Sequence, residues 1–118
     1  MKTNSLSDVS IIIPTIEINY LTKKCVEKCL EHCKGASIFV IVDFKNEQTL
    51  PKNKVNLIVS GNCTIAAKRN LAARASSSQY LAFIDSDAFP KAGWLTNAIN
   101  YLKKQEDTWA VGGPNVSP

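Results

Sequence analysis

The sequence predicts an α/β domain, a Rossmann-like layer of mainly parallel strands flanked by helices, and three observations carry that expectation. Short apolar runs of strand length alternate with longer segments of helical periodicity. The runs are continuous rather than alternating, as in strands covered on both faces. Polar residues able to do chemistry, among them Thr15, Asp43 and Asp85, follow directly where these runs end.

The first run, Val9 to Ile13, is largely β-branched and stops at Pro14. A helix is expected from about Asn19 to Cys33, with Gly35 placed to end it in a left-handed conformation. Ser37 to Val42 and Val55 to Val59 read as the second and third strands. Between them, Phe44 to Asn53 is polar, contains Pro51 and has no full helical pattern. Thr64 to Ala75 is an Ala-rich helix whose small residues permit close approach to a sheet. Tyr80 to Ile84 is the fourth strand, and a helix from about Lys91 to Lys104 buries Trp94, Leu95, Ala98, Ile99 and Leu102. Trp109 to Val111 would be a fifth strand, stopped by Gly112-Gly113-Pro114.

A chain of 118 residues is the size of one small domain, and no repeat, linker or low-complexity tract divides residues 1 to 118. An apolar content of 45% with 20% charged residues excludes general disorder. The net charge of +4 is scattered, so nucleic acid is not implied, although a mildly basic surface suits an anionic small molecule. The polar start, Met1 to Asp8, and the absence of any apolar stretch of about 18 residues give no signal peptide and no membrane span. The expected location is cytoplasmic. Cys25, Cys29 and Cys33 fall four apart beside Ile18, Leu21, Val26 and Leu30, which is a core stripe rather than the paired short spacings of a zinc site.

The feature richest in chemistry is Asp85-Ser86-Asp87, set after an apolar strand and before Pro90. Asp also favours turns and helix caps, so the pair has a purely structural reading as well. In parallel α/β sheets, however, ligands bind beyond the carboxyl ends of the strands. Pro14-Thr15, Asp43, Gly61-Asn62 and Asp85-Ser86-Asp87 would then gather along one rim. Two carboxylates at such a place suit a divalent cation that bridges phosphates and keeps some of its water. Asp87 would bind the ion directly, and Asp85 would bind it through water or take a ribose hydroxyl. Asp43, an acceptor when ionised, fits a base edge bearing N–H or caps the loop that follows. The guanidinium fork of Arg69 suits phosphate or a rim carboxylate, with a solvated helix position as the alternative, and Lys68 is expected to face solvent.

Taken in order, Val9-Ser10-Ile11-Ile12-Ile13-Pro14-Thr15, Val40-Ile41-Val42-Asp43, Asn62 with Ala67-Lys68-Arg69-Asn70, Ala82-Phe83-Ile84-Asp85-Ser86-Asp87 and Gly93-Trp94-Leu95 resemble the family-2 glycosyltransferases of the GT-A fold. The likeness extends to Val111-Gly112-Gly113-Pro114-Asn115. The resemblance implies binding of a nucleotide-diphospho-sugar, a UDP-sugar by preference, and transfer of the sugar to a saccharide or other hydroxyl acceptor. It also implies Mn2+ or Mg2+ as cofactor. By resemblance, Pro14, Thr15 and Asp43 hold the base and ribose, Arg69 lies near the phosphates, Asp85 and Asp87 bind the metal, and Gly112 and Gly113 approach the sugar or acceptor. Glu17 and Ser86 are grouped with the nucleotide-binding residues. Glu17 stands where the family often has an amide, Phe44 where it has a second acid and Thr64 where it has glycine.

The family's catalytic domain continues well past Pro118 and usually draws its acceptor site and general base from that part, so no catalytic residue is assigned here. The expectation is an N-terminal donor-binding half whose own activity is weak or nil and whose uncovered apolar surface promotes self-association. A sugar-nucleotide-binding module without transfer is the alternative. A phosphatase with the first Asp as nucleophile fits less well, because Phe89 replaces the small residue expected two positions after the second Asp.

Overall fold

The computed structural model describes residues 6–51 and 53–104. They form β1 (Val9–Pro14), α1 (Tyr20–His32), β2 (Ser37–Val42), β3 (Asn56–Val59), α2 (Ile65–Ala75), β4 (Tyr80–Phe83) and α3 (Trp94–Lys104). The strands make one sheet in the order β3-β2-β1-β4, and every pairing is parallel. The expected Trp109 to Val111 strand and the Gly112-Gly113 turn lie outside the described residues.

Position in the sheet explains the composition of each strand. Central β1 is buried along its whole length, and β2 is buried except at Ser37. An unbroken apolar run suits exactly such a doubly covered place in the sheet. Strands β3 and β4 have a neighbour on one side only among the described residues, and both are partly exposed.

Side chains alternate across the sheet, so each central strand feeds two cores. Val9, Ile11, Ile13, Val40 and Val42 meet Cys25, Val26 and Cys29 of α1 and Leu95 and Ile99 of α3 in the larger one. Ile12, Phe39 and Ile41 face the other way and pack on Ala72 of α2. The small residues of α2 thus lie against the sheet, as their composition predicts. At the amino end of β1, the buried Ser10 hydroxyl shares hydrogen bonds of 2.7 Å with the hydroxyls of both Ser76 and Ser78, which satisfies a polar group inside the sheet.

Helix ends follow local chemistry. Asn19 caps α1, its Oδ1 accepting from the Thr22 amide at 2.9 Å, and the Thr64 hydroxyl accepts from the Ala67 amide at 3.0 Å to cap α2. These two residues, expected inside the helices, are their caps. The cap of α1 is Cys33, and Gly35, expected to end the helix, uses its φ of +94° two residues later in the turn that the Ala36 amide closes on the Cys33 carbonyl. Helix α3 begins three residues later than expected, because Gly93 adopts a φ of +82°, outside the helical region, within a turn closed by the Trp94 amide on the Lys91 carbonyl. Leu21 departs from the expected core stripe. It is exposed, while Thr22 turns inward and gives its hydroxyl proton to Asn19.

The cysteine stripe is part of the core, as its spacing predicts: Cys25, Cys29 and Cys33 are buried free thiols and Cys63 is half-buried. Hydrogen bonds to the Cys25 and Cys33 sulfurs, followed by burial, push the Cys29 thiol far above its ordinary range. The hydrogen bond from Cys29 pulls the Cys33 thiol down against its own burial. Brief treatment of the folded chain with a thiol reagent should therefore label Cys63 first, and mass spectrometry should find Cys29 labelled only after unfolding. Rapid labelling of Cys29 in the native state would contradict this packing.

Gly61, at the turn after β3, has a φ of +78° with open space where a Cβ would stand. Gly61→Ala should cost about 1–2 kcal/mol, all of it from backbone strain rather than clash. Urea denaturation measures that loss, and an unchanged midpoint would show that the turn relaxes freely.

Candidate functional site

Because the four strands are parallel, their carboxyl ends share one edge, and backbone hydrogen bonds continue the sheet beyond the strands there. The Thr15 amide donates to the Ile41 carbonyl at 2.9 Å, and the Asp43 amide donates to the Ile16 carbonyl at 2.9 Å. The Ser60 and Gly61 amides donate to the Val42 and Asp43 carbonyls at 2.8 and 3.1 Å, and the Ile84 amide donates to the Ile12 carbonyl at 3.1 Å. Asp43 after β2 and Asp85 to Asp87 after β4 accordingly stand on the same edge of the molecule. The convergence expected from parallel strands is present in the backbone itself.

Asp43 is held on every side. Its amide and carbonyl belong to the bonds just described, and its Oδ1 forms an ion pair with the Lys68 ammonium. That oxygen is buried and meets the ammonium as a charge contact rather than a well-directed hydrogen bond. The Lys68 side chain is 3% exposed and that of Asp43 15% exposed. Lys68 also donates to the Cys63 carbonyl at 2.9 Å. The expectation of a solvent-facing Lys68 is therefore wrong. It lies one turn before Ala72 on the buried face of α2, and helical side chains lean toward the helix N-terminus, which takes its stem to the rim. Nothing in the Ala-rich pattern of α2 marks position 68 as inward-facing, because its apolar residues surround the helix.

The acidic turn after β4 is more open. The Ala88 amide donates to the Asp85 carbonyl at 3.0 Å, and the Cys25 thiol approaches the same carbonyl at 3.8 Å. Asp87 is exposed, as is Asp85, and Ser86 between them is half-buried. Arg69 Nη2 stands 3.8 Å from Asp85 Oδ1, its guanidinium 5.7 Å from the centre of the Phe83 ring. The Arg69 Nε is buried with no hydrogen-bond partner, while the side chain as a whole is 41% exposed. Both sides of this pair are solvent-accessible, so it contributes little to stability.

On the β1 side, Pro14 is buried and Thr15 half-buried, with the Thr15 hydroxyl donating to the Glu17 carbonyl at 3.3 Å. Glu17 is anchored rather than loose: Asn46 Nδ2 donates to its Oε2 at 3.2 Å and to the Ile18 carbonyl at 2.9 Å. Asn46, from the polar connection after β2, was not singled out by sequence, and no spacing rule marks it. The donor set at Asp85 and Asp87 consists of hard oxygens. Among the described residues, no three His, Cys, Asp or Glu side chains gather closely enough to hold an ion unaided. A cation here would take its remaining ligands from phosphate and water, the usual arrangement for Mg2+ or Mn2+ on a nucleotide. No helix among the described residues is long and apolar enough to cross a membrane.

The fold has counterparts among known proteins. S. aureus TarS 1-349 superposes with a TM-score of 0.65 at 23% identity, over 83% of this chain and 33% of that one. The same protein in complex with UDP-GlcNAc gives a TM-score of 0.62 at 23% identity, over 83% and 32% of the two chains. A structure of S. aureus TarS that this chain covers to 19% gives 0.64 at 23% identity, over 81% of this chain. The chain thus spans a third or less of the structures it resembles, and at this identity the likeness shows the fold, that of GT-A glycosyltransferases. No curated protein matches the chain. The model of the family described as "Glycosyl transferase family 2" matches residues 10–117, and the parallel sheet with its polar rim agrees with it: this chain belongs to glycosyl transferase family 2.

Proposed function

We propose that the chain binds a nucleotide-diphospho-sugar along the rim and serves transfer of the sugar to an acceptor hydroxyl. One observation carries the reading. Asp43, anchored at the end of β2, and the open Asp85-Ser86-Asp87 turn at the end of β4 share the edge where α/β sheets take ligands. The complex of TarS with UDP-GlcNAc supports a sugar nucleotide as the ligand class and UDP as the first nucleotide to try.

In this reading Pro14 and Thr15 line the base and ribose, Asp43 accepts from the base, and Ser86 and Glu17 border the nucleotide. Arg69, whose Nη2 already stands beside Asp85, offers its guanidinium to the diphosphate. Asp87, with Asp85 directly or through water, would hold Mn2+ or Mg2+. When bound, such a cation acts as a Lewis acid that neutralises the departing diphosphate. The chain's own contribution is to orient the donor and to hold fixed charges where negative charge accumulates. A saccharide or another hydroxyl compound is the acceptor class. The general base that would take the acceptor proton is not assigned to a residue of this chain.

Calorimetric titration with UDP, GDP and dTDP, with and without Mn2+, tests the reading. UDP should bind, Mn2+ should tighten it by roughly tenfold or more, and Asp87→Ala should remove the gain from Mn2+ while leaving the fold intact by circular dichroism. Failure of the folded chain to bind any of the three nucleotides would refute it. Mn2+-dependent binding with neither donor hydrolysis nor transfer would identify a donor-binding module rather than a complete enzyme.

A further inference from the structure

Lys68 is a buried charge to which the proposed chemistry gives no task. Helix α2 buries just two residues against the sheet, Lys68 and Ala72, and Ala72 joins an apolar cluster with Ile12, Phe39 and Ile41. An apolar residue at position 68 would extend that cluster. A lysine there must instead shed its water, and buried ion pairs seldom stabilise a fold more than well-packed apolar side chains do. Stability alone therefore does not explain the lysine.

What the ammonium does is divide the Asp43 carboxylate. It rests on Oδ1, which is buried, and it donates to the Cys63 carbonyl, so its own position is set from two directions. The Asp43 backbone is tied through both its amide and its carbonyl, which leaves the residue no freedom to swing. The remaining exposure of Asp43 belongs to the side of the carboxylate that Lys68 does not cover. A ligand at the rim therefore meets one acceptor oxygen and not two.

Resting on the reading that the donor base sits at Asp43, we propose that Lys68 is a positioning residue that sets base specificity by occupying Oδ1. A single acceptor oxygen matches a single ring N–H between two carbonyls, the edge that uracil and thymine present. Guanine presents a ring N–H beside an exocyclic amine, two neighbouring donors that suit both oxygens of a free carboxylate at once. With Oδ1 engaged by Lys68, the second guanine donor is left unmet, a penalty that a buried polar site imposes strongly. Lys68 thus favours pyrimidine imides over guanine without touching the base.

The test is the ratio of UDP to GDP affinity, measured by calorimetry with Mn2+ present. Lys68→Met should lower that ratio by roughly tenfold, the effect of one charge-assisted hydrogen bond, with UDP weakened and GDP strengthened. Binding of Mn2+-pyrophosphate, which lacks a base, should be unchanged. Lys68→Ala, which also frees Oδ1, guards against a Met variant that does not fold and should shift the ratio in the same direction. In an Asp43→Asn background, the Lys68 substitutions should have no further effect on the ratio. An unchanged ratio in a folded Lys68 variant, or equal weakening of UDP, GDP and pyrophosphate, would overturn the role of Lys68. UDP binding by the unaltered chain separately decides whether the underlying reading stands.

Discussion

The parallel hydrogen-bond ladder centred on β1, and its continuation past the strand ends, is the constraint on which the rest of this structure depends. Parallel strands must return through crossovers, and every crossover leaves its following loop on the same edge. Bonds from Thr15 to Ile41, Asp43 to Ile16, Gly61 to Asp43 and Ile84 to Ile12 then fasten those loops to one another. The polar residues gather because backbone bonds tie their loops together.

That ladder requires a β1 covered on both faces, and the two faces are covered differently. Helices α1 and α3 provide a broad apolar layer, whereas α2 offers small residues and one lysine. Close approach of α2 makes the Lys68 to Asp43 ion pair possible, since a bulkier face would hold the helix away from the sheet. Architecture and electrostatics meet at this helix: the residue most costly to bury stands beside the acceptor that the proposed function needs most.

Much of this was legible in the sequence. Continuous β-branched runs such as Val9 to Ile13 announce doubly covered strands, and Gly35 and Thr64 announce helix ends within two residues. The common edge followed from parallel topology, without any knowledge of side-chain contacts. The pairing of buried charges was not legible. Lysine defaults to solvent in any reading by composition, and Lys68 escapes that default only because Asp43, 25 positions earlier in the chain, waits at the end of its stem. The Asn46 to Glu17 bond was hidden for the same reason, since it joins two loops with no shared periodicity. The late start of α3 was hidden in Gly93, whose backbone conformation belongs to the turn that spans it.

The approach of the Cys25 sulfur to the Asp85 carbonyl adds a polar link between two parts of the molecule that already share the larger core through Ile84. Cys25 belongs to the interior packing of α1, while Asp85 opens the acidic turn. Substitutions deep in that helix, far from any ligand and conservative in volume, would therefore move the seat of the carboxylates. The interior along the thiol row thus doubles as the footing of the acidic tip.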